Sequence, residues 1–249
     1  MKVKTHAVYE KTLLGFSALI LFTASLAKAQ NSDKTAFAQI TRYEVKKENQ
    51  EIFKKAITDY VLNSLSTENN IMSEAYFEQE NQSVMWLFER WENESAFEKF
   101  QKNSKAKAIK TLAKTALAKP EKIIEIKDLE PISKQEWRKT SKKEDKQLTI
   151  MLFVDAKAGT EENFKTIYHK AMPEFRSEAG VVTYQLSQFK EDKTQFVTFE
   201  KFRSNDAFQY HLNFPPIQPV IDYLNTSIKK PPFQDGIHNL IEFAPLFRE

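Results

Sequence analysis

The sequence repeats itself with an offset of 111 positions, and this feature constrains the fold more than any other. Residues Leu87–Trp91 read LFERW and residues Thr198–Phe202 read TFEKF; in both places a polar turn and then an Ala-Phe pair follow. At the same offset Phe53 falls on Phe164. Several matches in one register indicate that the chain contains two copies of one structural unit.

Each copy contains six segments whose hydrophobic patterns predict the order β-α-β-β-α-β. In the first copy we expect a strand near Phe37–Val45, a helix near Gln50–Ser64, strands at Ile71–Phe77 and Val84–Trp91, a helix from Asn93 or Ser95 to about Leu117, and a strand at Lys122–Ile126. This order is the ferredoxin-like arrangement, an α+β fold in which helices cover one face of a four-stranded antiparallel sheet. The other face of each sheet is bare, so we expect the two sheets to pack against each other within the monomer.

The second copy repeats this order with local differences. Thr160 is expected to cap its first helix, and prolines at 215, 216 and 219 are expected to break its second helix, leaving irregular structure or a short new helix. Thr67-Glu68 matches Ser177-Glu178 with an offset of 110, which predicts a one-residue difference in the loop before the second strand.

The charged segment 129–146 lacks periodicity and is interpreted as a linker between the copies. Trp137 lies within it and is predicted to pack on a domain surface. The predicted domains are therefore residues 30–128 and 147–249.

Residues 1–29 are interpreted as a secretory signal peptide. Three lysines flank or precede a short apolar run, Leu13–Leu26, and Ala27-Lys28-Ala29 matches the small-x-small cleavage pattern. The apolar run is shorter than the about 20 residues that span a bilayer, so cleavage before Gln30 is favoured over a retained membrane anchor. We therefore expect an exported protein, periplasmic or secreted, with no membrane span after cleavage.

The composition argues against several functional classes. The chain has no Cys, so an exported form has no disulfide framework, and its four Gly form neither GxGxxG nor GxxxxGK. Basic and acidic residues balance once the leader is removed, and no basic stripe indicates nucleic-acid binding. His169, His211 and His238 lack a helical His partner, so no metal site is predicted.

The repeated strand that ends in aromatic-Glu-basic-aromatic, followed by a polar turn and Ala-Phe, resembles the antibiotic biosynthesis monooxygenase (ABM) superfamily. The segment Ser177–Val181, SEAGV, adds the E-x-G turn that is usual there before the second strand. The resemblance covers about residues 36–128 and 147–247 and implies two tandem domains that form a dimeric α+β barrel as a pseudo-dimer. Similar proteins include cofactor-independent monooxygenases that oxidise phenols or quinols with O2, with substrate bound between sheet and helices, and haem-degrading enzymes.

The resemblance implies a site in the second copy, centred on His211. This residue lies one turn past Ala207, where many family members carry a His, whereas the matching residue in the first copy is Phe100. A His with a pKa near neutrality suits general-base work on a phenol. The predicted catalytic residues are His211, Glu200 and Tyr184, and the predicted substrate-binding residues are Phe202, Phe208 and Tyr168.

Each of these residues also has a structural interpretation. His211 can pack beside Tyr210 as a partly exposed residue. Glu200 recurs as Glu89, and recurrence favours a role in the fold. Tyr184, whose counterpart is taken to be Glu74, can be an ordinary strand residue.

Two functions remain open from the sequence. One is a cofactor-independent monooxygenase acting on a small aromatic or quinol, and the other is a non-catalytic exported module that binds a small hydrophobic ligand or a protein. Haem degradation is disfavoured, because Ile221 and Lys110 stand where relatives carry a His ligand. No cofactor is expected, and the chain is expected to be a monomer with an internal pseudo-dimer or a homodimer.

Overall fold

The computed structural model describes residues 36–231 and 236–248. The predicted signal peptide lies outside these residues. None of the helices in the described ranges combines the length and the apolar character needed to cross a membrane.

The elements follow the predicted order in both copies. The strands are β1 Phe37–Glu44, β2 Asn70–Glu78, β3 Val84–Trp91, β4 Lys122–Leu129, β5 Leu148–Asp155, β6 Val181–Phe189, β7 Gln195–Phe202 and β8 Ile237–Ala244. The α-helices are α1 Gln50–Leu65, α2 Glu94–Phe100, α3 Ser104–Ala116, α4 Lys134–Trp137, α5 Glu161–Ser177, α6 Asn205–Asn213 and α7 Gln218–Thr226. Short 3-10 turns precede α1 and α7.

The strands close into one antiparallel barrel in the order β1-β3-β2-β8-β5-β7-β6-β4. Each copy contributes a four-stranded sheet, and the two sheets join edge to edge where β2 pairs with β8 and β4 pairs with β6. The chain therefore builds a dimeric α+β barrel by itself, with the second copy in the place of a second subunit. The predicted fold class is confirmed.

Alternation of side chains along the strands separates three apolar cores. Residues that face into the barrel form one core, in which the rings of Phe88 and Tyr76 lie 4.8 and 5.8 Å from that of Phe199. The outward sheet faces pack on the helices of their own copy and form the other two cores. Phe53 and Phe164, which match in the sequence repeat, are fully buried in these two cores.

The segment between the copies closes one mouth of the barrel. Ser133 and Glu136 form a capping box that starts α4 and places Trp137 in the barrel interior, where it is 2% exposed. Its ring lies 3.8 Å from the guanidinium of Arg90, which donates two hydrogen bonds to Asp128 at 2.7 and 2.9 Å. The prediction that Trp137 packs on a domain surface is wrong, because the linker folds back across the barrel mouth.

Two predictions about helix ends are wrong. Thr160 makes no side-chain cap for α5, since its hydroxyl donates to the carbonyl of Lys157 at 2.7 Å instead. The second helical region of the first copy is two helices, because the Asn103 side chain accepts from the amide of Ala106 at 2.9 Å and starts α3. Asn93 caps α2 as expected.

In the second copy the proline-rich segment ends α6, and α7 begins after a 3-10 turn. The prediction of a short new helix is therefore confirmed. Both copies thus interrupt their second helical region, one with an Asn cap and the other with prolines.

The offset of 111 also holds in the loop before the second strand. Asn70 donates its amide proton to the carbonyl of Thr67, and Val181 donates in the same way to Glu178. The predicted one-residue difference in this loop is wrong. Glu178 occupies the position of Thr67.

Candidate functional site

His211 and Glu178 form a buried pair in the second copy. Ser204 accepts the amide proton of Ala207 at 3.1 Å and starts α6, whose last turn carries His211. Glu178 lies in the turn that ends α5, and its Oε1 is 2.7 Å from His211 Nδ1. The two side chains are 1% and 2% exposed.

The other ring nitrogen of His211 is free. Among the described residues, Nε2 has no hydrogen-bond partner, and the same holds for Glu178 Oε2. The rings of Phe175, Tyr184 and Phe202 surround the imidazole at centroid distances of 4.7, 5.2 and 5.3 Å. An unpaired buried nitrogen costs free energy, and active sites are where such costs are commonly retained.

Burial shifts the proton affinities of the pair toward their neutral forms. Burial lowers the pKa of His211 to about 4, so the expectation of a pKa near neutrality is wrong for this residue. Burial, and then the nearby charge of Glu200, raises the pKa of Glu178 to about 7. Above pH about 7 the Glu178 carboxylate accepts a hydrogen bond from Nδ1–H of the neutral imidazole, and Nε2 is then the ring nitrogen that can accept a proton.

Glu200 is the second buried carboxyl of this region. It accepts hydrogen bonds from Tyr184 at 2.9 Å and from Thr198 at 2.6 Å. Burial raises the pKa of Glu200 to about 7, although these two hydrogen bonds act in the opposite direction. Burial and the charge of Glu200 also raise the pKa of Tyr168 and of Tyr184.

These groups meet at a small apolar cavity between strands β5 to β8 and helices α5 to α7. Tyr168, Tyr184, Glu200, Phe208 and His211 line it together with aliphatic side chains, and Phe202 packs on His211 beside it. The structure therefore brings all six predicted site residues together. The cavity volume is about 40 Å³, which is room for one water molecule or for dioxygen but not for an aromatic ring.

The first copy lacks the acid–base pair, because Phe100 and Thr67 occupy the positions of His211 and Glu178. Its carboxyl Glu89 accepts hydrogen bonds from Tyr60 at 2.6 Å and from Gln39 at 3.1 Å. Burial raises the pKa of Glu89. Here the space between sheet and helices is about 280 Å³ and opens to solvent.

The prediction that Glu74 is the counterpart of Tyr184 in the first copy is wrong. Tyr184 lies opposite Glu200, and the residue opposite Glu89 is Ser73. The predicted counterpart, Glu74, lies opposite Phe88 and faces into the barrel. In both copies a tyrosine hydroxyl donates a hydrogen bond to the recurrent Glu, but the tyrosines lie on different elements. Tyr184 of the second copy lies on β6, and Tyr60 of the first copy lies on α1.

Sequence reasoning missed Glu178 as the partner of His211. The residue belongs to the SEAGV segment, but only as part of a turn motif. A carboxylate one turn before a strand and a His on a distant helix give no local signal that they touch. Within the described ranges, no group of three or more His, Cys, Asp or Glu side chains is arranged to hold a metal ion.

Comparison with known proteins agrees with this architecture. The family model for antibiotic biosynthesis monooxygenases matches residues 36–112 and 148–221. A protein of Lactobacillus acidophilus NCFM, provisionally described as a monooxygenase, is 15% identical; the match covers 84% of this chain and 94% of that one, with a TM-score of 0.69. A similarly described protein of Fusobacterium nucleatum subsp. nucleatum ATCC 25586 is 17% identical over 84% and 93% of the two chains, with a TM-score of 0.70.

A more distant solved structure is that of an anthrone oxidase-like protein. It is 8% identical over 85% of this chain and 93% of its own, with a TM-score of 0.57. At these identities the three likenesses show a shared fold. No curated protein matches the chain.

Proposed function

Because the chain belongs to the antibiotic biosynthesis monooxygenase family, we propose that it is a cofactor-independent monooxygenase with its site in the second copy. The observation that carries this proposal is the buried His211–Glu178 pair: Nε2 of His211 has no partner among the described residues, and His211 lines an apolar cavity. The proposed substrate is a small phenol or quinol. Its aromatic body suits the apolar walls, and its hydroxyl suits Nε2.

In this proposal His211 Nε2 takes the hydroxyl proton of the substrate, and Glu178 stabilises the imidazolium that forms. The resulting phenolate is electron-rich and reacts with O2. One oxygen atom enters a ring C–H position and gives a quinone, while the other leaves as water. The substrate supplies all four electrons, so the reaction balances with O2 as the sole oxidant.

An aromatic substrate requires the cavity to enlarge. The side chains of Val220, Ile221 and Leu224 on α7 form part of its wall, and this helix follows the break after α6. Outward movement of α7 is the step in this proposal that admits substrate, and the apolar side chains of the displaced helix then cover the bound ring.

Oxygen consumption by the chain without its first 29 residues tests the proposal. We would use a panel of hydroquinones and polyhydroxy-aromatics with no added flavin, metal or haem. His211→Phe installs the residue of the first copy, and we expect it to reduce uptake by about 100-fold or more. His169→Ala, which changes a largely exposed His, is the matched control and should retain the rate. Equal rates in His211→Phe and the wild type would overturn the assignment.

The alternative function is a non-catalytic binding module. The cavity of the first copy favours it, because it is larger than that of the second and has no acid–base pair. If the panel produces no oxygen uptake yet a phenol binds, and Glu89→Gln but not Glu200→Gln weakens that binding, the module is supported over the enzyme.

We also propose that the protein acts after export, as the leader indicates. The intact mass of the protein recovered from its own cells would test this. A mass beginning at Gln30 supports export, and a mass that includes residues 1–29 contradicts cleavage.

A further inference from the structure

A second cavity lies at the barrel mouth that the linker closes, away from His211. Its volume is about 310 Å³, within the range of sites for small organic molecules. Residues from α1, β2, β7, the linker and the chain segment after β8 line it. Nothing in the proposed oxygenase chemistry uses this space.

The cavity contains a buried ammonium with unused hydrogen-bonding capacity. Lys201 is 3% exposed, and its Nζ donates to Glu74 Oε1 at 2.7 Å. Glu74 accepts a second hydrogen bond from the Tyr76 hydroxyl. An ammonium has three donors, and within the described part of the chain Glu74 is the one acceptor that Lys201 reaches. Two donors therefore remain for a group inside the cavity.

The charge of the lining favours an anion. Arg138, Lys139, Lys201 and Arg248 line the cavity, against two carboxylates. The guanidinium of Arg138 donates to backbone carbonyls at 2.9 to 3.2 Å, so those hydrogen bonds do not neutralise its charge.

The second carboxyl in the lining, Glu242, also interacts with the basic residues of the cavity. Burial opposes its ionisation, yet Lys201, Gln147 and Arg248 together hold the pKa of Glu242 below its usual value. Its hydrogen bond from Arg248 is 3.1 Å long. These contacts favour the charged form of Glu242 in spite of its burial.

The walls around these charges are apolar. They are formed by Leu62, Leu65, Met72, Trp137 and Phe247. Leu62 and Phe247 are 43% and 53% exposed and stand at the solvent side of the cavity. A ligand that matches both the apolar walls and the basic residues of the cavity has an apolar body and one anionic end.

The first copy holds its equivalent basic residue in a different ion pair. Arg90, at the position of Lys201, gives two hydrogen bonds to Asp128 and lies against the ring of Trp137. Lys201 instead reaches across to Glu74 of the first copy.

We propose that this cavity binds a small organic carboxylate, with its aromatic or aliphatic body against Trp137 and Leu65 and its carboxylate on Lys201. The carboxylate takes the two free donors of the ammonium, and charge-assisted hydrogen bonds of this kind are strong when buried. The site is separate from the proposed oxygenase site, so it can be tested whether or not the protein turns over a substrate.

Calorimetry with phenylbutyrate, phenylbutanol and phenylbutylamine tests the proposal, because these probes share one apolar body and differ in charge. We expect phenylbutyrate to bind the full chain at one site, at least about tenfold more tightly than the alcohol, and the amine not to bind. In Lys201→Met/Glu74→Gln, which removes both charges of the pair together, we expect the carboxylate to lose at least about tenfold in affinity.

Two controls separate binding from folding. Lys190→Met/Glu125→Gln makes the same two kinds of change in an ion pair that does not line this cavity, and it should retain preference for the carboxylate. Leu62→Glu adds an anion at the exposed rim and should weaken the binding of phenylbutyrate more than Leu62→Gln does, because only the glutamate is charged. Equal affinity for the three probes, or full affinity for phenylbutyrate in the folded Lys201→Met/Glu74→Gln variant, would overturn the proposal.

Discussion

At the scale of single residues, two substitutions separate the copies. The position that holds His211 in the second copy holds Phe100 in the first, and the position of Glu178 holds Thr67. Together these differences place a titratable pair where the first copy has an aromatic ring and a hydroxyl. Neither residue alone provides a base, because the tautomer of His211 depends on whether Glu178 is ionised.

The protonation of this pair makes a prediction that needs no substrate. Since the pKa of Glu178 is about 7 and that of His211 about 4, both groups are neutral between these values, and the protonated carboxyl of Glu178 then donates a hydrogen bond to Nδ1, so that Nε2 carries the ring proton. Above pH about 7, Nδ1 carries the proton and Nε2 is bare. Nitrogen-15 NMR of the histidines between pH about 5 and about 9 should show this exchange of tautomers.

Glu178→Gln provides the control for this titration. The amide has no carboxyl to ionise, so the tautomer of His211 should be constant over the same range. A wild-type tautomer that does not change with pH would contradict the assignment.

At the scale of elements, the turn between α5 and β6 sets the position of α6. A Cβ placed on Gly180 would collide with the side chain of Ala207 and lie 3.2 Å from its Cα. The glycine of the E-x-G turn is therefore needed because the first turn of α6 packs directly on it. This contact holds α6, with His211 on it, close to Glu178.

Gly180→Ala should force α6 away from the turn. We expect a loss of about 1 to 3 kcal/mol in the free energy of unfolding, the usual cost of overpacking, measured by urea denaturation. The loss of the short Glu178–His211 contact should also abolish the tautomer exchange. Ala207→Gly in the same chain removes the colliding methyl group, so the double variant should be close in stability to Ala207→Gly alone. A double variant as unstable as the sum of the two changes would show that the collision is not the cause.

At the scale of the whole molecule, the closed barrel joins the two copies, and we expect them to unfold as one unit. Strand β8 of the second copy completes the edge of the first copy's sheet, and β4 does the same for the second. The barrel core takes side chains from both copies. Loss of one sheet would expose this core and leave two open strand edges.

Phe164→Ala tests this coupling, because the change lies in the second copy and all three tryptophans, Trp86, Trp91 and Trp137, precede that copy. Truncation of the fully buried ring should cost about 3 to 5 kcal/mol. Tryptophan fluorescence and far-ultraviolet circular dichroism should report the same lowered denaturation midpoint. The matching variant Phe53→Ala should behave alike. An unchanged fluorescence midpoint in Phe164→Ala would mean that the copies unfold independently.

The sequence by itself determined the duplication, the order of the elements and the contrast between His211 and Phe100. These features are written in local patterns, since the repeat, the strand alternation and the helical spacing each need only neighbouring residues. The six predicted site residues also lie together, because the positions of a ferredoxin-like unit fix which strand faces oppose which helix.

The tertiary structure alone decided which distant side chains meet. Glu178 and His211 are 33 positions apart, and Lys201 and Glu74 are 127 apart. The strand register also comes from the structure. The sequence comparison is off by one residue at Tyr184: its counterpart is Ser73, and the predicted counterpart, Glu74, faces into the barrel. Because successive strand residues point to opposite faces, a shift of one position moves a residue from the sheet face that lines the site to the face that lines the barrel core. Cavity volumes likewise depend on how close the helices come to the sheet, which no local pattern records.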